Sequence, residues 1–136
     1  MPNALEPYCI DIESFGEKER GFLSAMSGEE IPFVPQRIFW IYGTPAPCER
    51  GLHAHQKSVI FIVAMHGKAE IICESASGQT FSFLLENPQK AVIIPPLHWH
   101  KIQIEQPETV LFCMASEPYN EAAYIRDYET FRGLGA

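Results

Sequence analysis

The chain has 136 residues, 46% of them hydrophobic and 12% aromatic, which is enough apolar material for one core. At this length we expect a single domain over residues 1–136. The formal net charge of −7 disfavours non-specific binding to nucleic acid or to an anionic membrane. The longest uninterrupted apolar run, Val59–Met65, is far shorter than the ~20 residues of a membrane-spanning helix. An anionic ligand must therefore be held by a local cluster of Arg and Lys.

The cysteines indicate a reducing compartment. Cys9, Cys48, Cys73 and Cys113 are scattered and form no C-x-x-C pair. Two of them, Cys73 and Cys113, lie in apolar strand-like runs, which is typical of buried thiols. The chain does not open with a basic segment followed by an apolar one, so we expect no signal peptide. Together these features predict a cytoplasmic protein.

Short apolar segments at fairly regular spacing, separated by Gly, Pro, Asn and Ser, predict β-strands. In chain order they are Arg37–Tyr42, Ser58–Met65, Ala69–Cys73, Thr80–Leu85, Ala91–Ile94, Lys101–Ile104 and Val110–Ala115. Ser77-Gly78 is a plausible hairpin turn between the third and the fourth. Many short antiparallel strands without interleaved helices predict an all-β sandwich or barrel.

The C-terminal segment is the one part with a helical pattern. Asn120 is placed to cap a helix over residues 120–132 that ends before Gly133. Its apolar stripe would contain Tyr124 and Phe131 and would pack on the barrel or on a partner. We expect ordinary core there and no functional site.

The most informative stretch is Arg50–Lys57, in which two histidines, His53 and His55, are separated by one residue. In an extended chain alternate side chains share a face, so both imidazoles point the same way. Two imidazoles beside Arg50 and Lys57 suit proton transfer, or metal binding, next to an anionic ligand.

A second cluster, Pro95–His100, again places two histidines, His98 and His100, on one face of an extended segment. The two prolines that precede them stiffen the chain and exclude helix. Like the first cluster, the second offers candidate groups for proton transfer or metal binding.

These two motifs resemble those of the cupin superfamily, which are double-stranded β-helix barrels of jelly-roll type with the site inside the mouth. The resemblance makes His53, His55 and His100 the three convergent imidazoles. This chain departs from metal-binding cupins in two ways. Val59 and Ile60 stand where those proteins have a Glu, and Leu97 stands where the second motif has a glycine.

Nearly the whole chain also resembles the small cupins that act as nucleotide-linked sugar 3,4-ketoisomerases. The segments that carry this are Arg20–Leu23, Ile31–Phe33, Arg37–Trp40, Arg50–Lys57, Trp99–His100, Ala115–Tyr119 and Tyr124–Tyr128. The resemblance implies an enzyme that interconverts 4-keto and 3-keto forms of a dTDP-linked 6-deoxyhexose without a cofactor. It also implies a homodimer that exchanges N-terminal strands, here residues 1–30, so that Phe22 approaches the partner's pocket.

For this reaction, we assign His53 and His55 to proton transfer, without deciding which is the base, and His100 to orientation or oxyanion stabilisation. Arg50 and Lys57 are assigned to phosphate or sugar oxygens. Further candidates for substrate binding are Arg37, Phe22, Trp99 and His98.

Two alternatives stay open. The three imidazoles could bind a metal in an oxygenase or in another isomerase, with His53, His55 and His100 as ligands. The protein could also be a non-catalytic binder of a sugar or a sugar nucleotide. This second alternative is favoured because the chain has apolar residues where members of the family often carry polar groups, namely Phe39, Trp40, Val59 and Ile60.

Overall fold

The computed structural model describes residues 6–135, so the first five residues of the predicted N-terminal arm lie outside the described part. Strands dominate it, followed by one short helix, α1 (Tyr128–Gly133). The strands are β1 (Tyr8–Asp11), β2 (Ser14–Glu17), β3 (Gly21–Ser24), β4 (Arg37–Ile41), β5 (Cys48–His55), β6 (Ile60–His66), β7 (Ala69–Ser75), β8 (Thr80–Leu85), β9 (Lys90–Ile94), β10 (His98–Ile104), β11 (Val110–Ala115) and β12 (Tyr124–Ile125).

Two five-stranded antiparallel sheets form the body of the fold. The first has the order β1-β9-β6-β11-β4, and the second has the order β12-β5-β10-β7-β8. Strands that are distant in sequence are neighbours in each sheet, as in a jelly roll. The predicted all-β jelly-roll fold is therefore confirmed, and all seven predicted strands are present.

The core lies between the two sheets and follows the alternation of each strand. On β6, Ile60, Ile62 and Ala64 point inward and are almost completely buried. The intervening Phe61 and Val63 point to the opposite face, where the N-terminal segment covers them. This strand is thus buried on both faces, which explains why its sequence is a continuous apolar run without polar alternation.

The predicted C-terminal helix is wrong in its extent. Asn120 caps only a 3-10 turn, Glu121–Ala123, by accepting a hydrogen bond from the backbone N–H of Ala122. The chain then extends into β12, and α1 starts after Asp127, whose carboxylate accepts from the N–H of Thr130. The two capping residues, Asn120 and Asp127, thus lie seven positions apart. The segment between them does not continue as a helix, because β12 pairs with β5 and stays extended.

The N-terminal segment divides into two parts. β1 pairs with β9 of the same chain, whereas β2 and β3, within the described residues 6–135, pair only with each other as a hairpin. These three strands, together with β5 and β12, were absent from the predicted strand list.

No helix among residues 6–135 is long and apolar enough to cross a membrane.

Candidate active site

Strands β5 and β10 bring the two histidine motifs together. They are neighbours in the second sheet, and His53 lies directly opposite His100. His53 and His55 face the interior of the sandwich, while Ala54 between them faces the other way and is fully buried beneath the C-terminal segment. The inward side chains of β10 include His98 and His100, both less than a tenth exposed.

A β-bulge sets the direction of the first motif. The pairing register of β5 and β10 shifts between His100 and Lys101, which leaves Leu52 without an opposite residue and in a left-handed conformation, φ 57°. Gly51 beside it has φ 86°, and a Cβ there would lie 3.0 Å from the carbonyl oxygen of His100. The glycine thus permits the close approach of β10, and the extra residue lets Arg50 and His53, three positions apart, face the same side.

The second motif has a comparable backbone feature. Leu97, at the position where the resemblance leads one to expect glycine, has φ 61°. Its N–H donates to the carbonyl of His55 at 2.8 Å, which links the end of β5 to the start of β10. The left-handed conformation is therefore kept although the glycine is absent, and the leucine side chain is largely exposed.

The three imidazoles form one cluster. The ring centroids of His53 and His100 are 4.6 Å apart, and those of His55 and His100 are 5.7 Å apart. Nδ1 of His53 lies 2.9 Å from the carbonyl oxygen of Gly51, and because a carbonyl only accepts, that nitrogen carries the proton. In the neutral ring Nε2 then has a free lone pair, and it faces Nε2 of His55 at 3.3 Å. A proton taken up by either ring can be shared between the two.

Burial keeps all three imidazoles neutral. It lowers the pKa of His55 to about 4, with further contributions from His53, Arg37 and Arg126. Burial likewise lowers the pKa of His100 well below its usual value and lowers that of His53, although the Gly51 carbonyl opposes the latter shift. At neutral pH the cluster therefore offers unprotonated bases.

Tyr124 completes the cluster from the C-terminal segment. Pairing of β12 with β5 sets Tyr124 opposite His55, and its ring centroid is 4.9 Å from that of His53 and 4.6 Å from that of His55. Nη1 of Arg37 donates to the phenol oxygen of Tyr124 at 3.0 Å. The guanidinium also lies 4.4 Å from the ring centre of Phe39. Arg37 is thus fixed between an aromatic face and the tyrosine.

A second arginine lies on the face of the same tyrosine. The guanidinium carbon of Arg126 is 4.5 Å from the ring centre of Tyr124. The same guanidinium donates to both carboxylate oxygens of Glu121, one of them at 2.9 Å. These hydrogen bonds, with one from the phenol of Tyr119, lower the pKa of the Glu121 carboxyl to about 2. Glu121 is therefore an anion, and it holds Arg126 over the ring.

The cluster borders a cavity of about 360 Å³. Its other lining residues include Arg37, Arg50, Phe39 and Ile60, and among the described residues no carboxylate lines it. A second cavity of about 440 Å³ shares Arg37, His55 and Tyr124 with it and extends to Lys57. The two cavities therefore adjoin; the arginines line the histidine cavity, and the lining of the second cavity also includes Glu117.

The structure gathers most of the predicted site residues, but not all of them. Arg37 and Arg50 line the histidine cavity, and Lys57 lines the adjoining one. His98 and Trp99 lie elsewhere: Nδ1 of His98 is 3.0 Å from the carbonyl of Pro96 and its ring meets Phe81, whereas Trp99 packs under the C-terminal segment. Neither is among the residues that line the histidine cavity.

Phe22 lies in another part of the molecule. It is 69% exposed and lines a largely apolar cavity of about 700 Å³ between the β2–β3 hairpin and the outer face of β6. Among residues 6–135, no titratable side chain lines this larger cavity. The smaller cavity is therefore the better candidate for chemistry, because it holds the convergent basic groups.

The sequence reasoning missed Tyr124, which it had assigned to the apolar stripe of a helix. It also missed Arg126 and Glu121. No local pattern marks them, since they approach β5 only because the chain extends after the 3-10 turn. Tyrosine has a polar tip on an apolar ring, so its presence in a supposed core stripe is a weak signal at most.

A cluster of neutral imidazoles inside an antiparallel β-sandwich, beside fixed arginines, defines an acid–base site of the cupin type. Over residues 6–135 the chain matches the family described as FdtA: WxcM-like, C-terminal. It is 30% identical over 128 residues to the TDP-4-oxo-6-deoxy-alpha-D-glucose-3,4-oxoisomerase of Aneurinibacillus thermoaerophilus, covering 94% of this chain and 91% of that protein.

Solved structures agree. A 3,4-ketoisomerase from Helicobacter canadensis has a TM-score of 0.88 at 30% identity, covering 96% of this chain and 98% of its own. QdtA, a sugar 3,4-ketoisomerase from Thermoanaerobacterium thermosaccharolyticum solved with TDP, has a TM-score of 0.88 at 25% identity, covering 96% and 94%. A variant of QdtA was solved with TDP-4-keto-6-deoxyglucose. The chain belongs to the FdtA, WxcM-like family, and the predicted enzyme class, sugar-nucleotide 3,4-ketoisomerase, is confirmed.

Proposed function

We propose that this protein isomerises a TDP-linked 4-keto-6-deoxyhexose to its 3-keto form by histidine acid–base catalysis. The observation that carries the proposal is the cluster of His53, His55 and His100, held neutral in one cavity of a chain from this family. The curated relative acts on TDP-4-oxo-6-deoxy-glucose, and QdtA binds TDP, which supports the substrate class.

The reaction needs a proton removed from C3, next to the carbonyl, and a proton returned to C4. Neutral imidazoles suit both steps, and the 3.3 Å contact between His53 and His55 lets either ring share the proton. His100 is proposed to orient the sugar or to hydrogen-bond its developing oxyanion, because its ring lines the same cavity and lies 4.6 Å from that of His53.

The diphosphate is proposed to bind the cationic side chains that line the two adjoining cavities. Arg37 and Arg50 line the histidine cavity, and Lys57 is exposed at the edge of the adjoining one. Against a net charge of −7, these side chains supply the local positive charge that a diphosphate needs. An arginine can hold it by a bidentate fork and a lysine as a point charge.

We further propose that catalysis needs no cofactor and that the protein is cytoplasmic. Neutral imidazoles can perform both proton transfers unaided, which supports the first statement. Four free thiols at residues 9, 48, 73 and 113 support the second.

The assembly we propose is a homodimer in which the β2–β3 hairpin of the N-terminal arm crosses to the partner, whereas β1 stays paired with β9 of its own chain. Among residues 6–135 the hairpin pairs with no other strand, and its Phe15, Phe22 and Leu23 are all more than half exposed. Ile38 and Trp40 are similarly exposed on β4, an edge strand of the first sheet. Exposed apolar side chains on a hairpin and beside an open edge support mutual coverage in a dimer.

One observation favours a second candidate function. One ligand atom from each of His53, His55 and His100 lies within 4.8 Å of the others, as three ligands of a metal ion would. Within the described part of the chain, no carboxylate lines the cavity to offset the charge of the ion, which favours the metal-free proposal. Elemental analysis of protein purified without chelator decides between them. Near-stoichiometric iron, nickel or zinc that is lost in His100→Ala would support the metal enzyme.

Incubation with TDP-4-keto-6-deoxyglucose in deuterated buffer tests the main proposal. Proton NMR should show deuterium at C3 and C4 and accumulation of the 3-keto isomer, with no effect of a chelator. Tight saturable binding of the sugar nucleotide without exchange or product would instead establish a non-catalytic binder and refute the isomerase.

A further inference from the structure

Isomerisation moves protons on oxygen as well as on carbon, and the cavity must serve both. As C3 loses its proton, negative charge develops on the C4 oxygen, and this oxygen must receive a proton or a strong hydrogen bond. Later the C3 hydroxyl must lose its proton for the 3-keto group to form. His53 and His55 account for the carbon-bound proton, and His100 can orient the sugar by a hydrogen bond. A donor close to them is still needed for the oxygens.

The lining of the histidine cavity narrows the choice of donor. Among residues 6–135 no carboxylate lines it, and its side-chain hydroxyls belong to Tyr119 and Tyr124. The Tyr119 hydroxyl donates to Glu121 at 2.6 Å, so its proton is already engaged. Phe39 faces the same space and has no hydroxyl. Tyr124 is the hydroxyl that remains.

Tyr124 is held where such a donor is required. Its ring contacts both His53 and His55, so a sugar bound against the imidazoles also meets the phenol. Arg37 donates to the phenol oxygen, which occupies a lone pair and leaves the phenol's own O–H free to donate into the cavity. The guanidinium of Arg126 on the ring face fixes the orientation of the ring.

We infer that Tyr124 is a catalytic residue that gives a proton to the C4 oxygen of the sugar and then takes one from the C3 oxygen. This inference rests on the proposed isomerase function. It assigns the protons on carbon to the histidine pair and the protons on oxygen to the tyrosine.

The two half-reactions balance. In the first half-reaction an imidazole takes the proton from C3, and the C–H electron pair forms the C3–C4 double bond. The carbonyl π pair moves to the C4 oxygen, which takes the phenol proton, so that an enediol is formed. The phenolate, stabilised by the hydrogen bond from Arg37, then takes the proton of the C3 hydroxyl as the C3 carbonyl forms. The C3–C4 π pair takes the proton of the imidazolium at C4. Both residues return to their starting states.

Tyr124→Phe tests the inference, because it removes the hydroxyl and keeps the ring. Tyr128→Phe is the matched control: its hydroxyl donates to Glu74, and the residue does not line the histidine cavity. Each variant is assayed with TDP-4-keto-6-deoxyglucose by proton NMR, alongside its melting temperature and its affinity for TDP. We expect kcat of Tyr124→Phe to fall by at least ~10²-fold, with melting and TDP affinity unchanged. Tyr128→Phe should behave as the wild type.

The possible results distinguish a failure of the role of Tyr124 from a failure of the isomerase function. If the wild type turns over and Tyr124→Phe retains most of its activity, the role of Tyr124 is wrong while the isomerase stands. If the activity, melting temperature and TDP affinity of Tyr124→Phe fall together, the residue is structural and the inference is again wrong. If the wild type neither isomerises nor exchanges the sugar, the proposed function fails, and the role of Tyr124 fails with it.

Discussion

The buried histidine pair should make the protein sensitive to acid, and His55 gives the effect a size. Its pKa is about 4 in the folded protein, against about 6.5 in an unfolded chain. Between these values the unfolded state binds a proton that the folded state excludes, so stability falls as pH falls from 6.5 towards 4. Near pH 4.5 this single group costs about 2–3 kcal/mol relative to pH 7.5, since a shift of one pKa unit is worth about 1.4 kcal/mol.

His55→Asn removes this titration. We expect the free energy of unfolding of the wild type to drop by about 2–3 kcal/mol more than that of the variant between pH 7.5 and pH 4.5. Without the charge of His55, protonation of His100 in the folded protein is less unfavourable. This also reduces the stability that the variant loses on acidification. Urea unfolding followed by fluorescence at both pH values measures the difference.

His66→Asn is the matched control for the substitution, because His66 lies exposed at the end of β6. It should lose the same stability as the wild type between the two pH values. If the wild type and His55→Asn lost equal stability on acidification, the claim that burial keeps His55 neutral would be refuted.

Three further predictions concern catalysis, backbone geometry and assembly. His55→Asn should keep its melting temperature and substrate binding at neutral pH while turnover falls at least ~10²-fold; a fully folded variant with most of its activity would show that His55 is not catalytic. Gly51→Ala should lower the free energy of unfolding by about 1–2 kcal/mol or more and reduce turnover, because φ is 86° and the new Cβ would meet the His100 carbonyl at 3.0 Å; chemical denaturation that shows no loss would contradict the close packing of the bulge. Deleting residues 1–30 should cost dimerisation and activity together, and light scattering that finds a full-length monomer at micromolar concentration would rule out the exchanged arm.

The local pattern of the sequence determined the strands whose burial follows a simple rule. β6 was predicted from its short apolar run, and the structure shows that this run is buried on both faces. β8 was predicted in the same way, and its burial alternates along the strand. The same period of two placed His53 and His55 on one face. The resemblance of the two motifs to those of the cupins then connected both histidine clusters into one site.

Tertiary structure alone decided how that site is completed. Register between β5 and β10 puts His53 opposite His100, and the bulge at Leu52 that aims them inward depends on a partner strand far away in sequence. The helical pattern around Tyr124 was overridden because pairing with β5 supplies its backbone hydrogen bonds, which sets the tyrosine against the histidines. A periodic pattern indicates which side chains are buried, but not which distant strand buries them. The position of Tyr124, the donor proposed for the sugar oxygens, depends on which strand its segment pairs with.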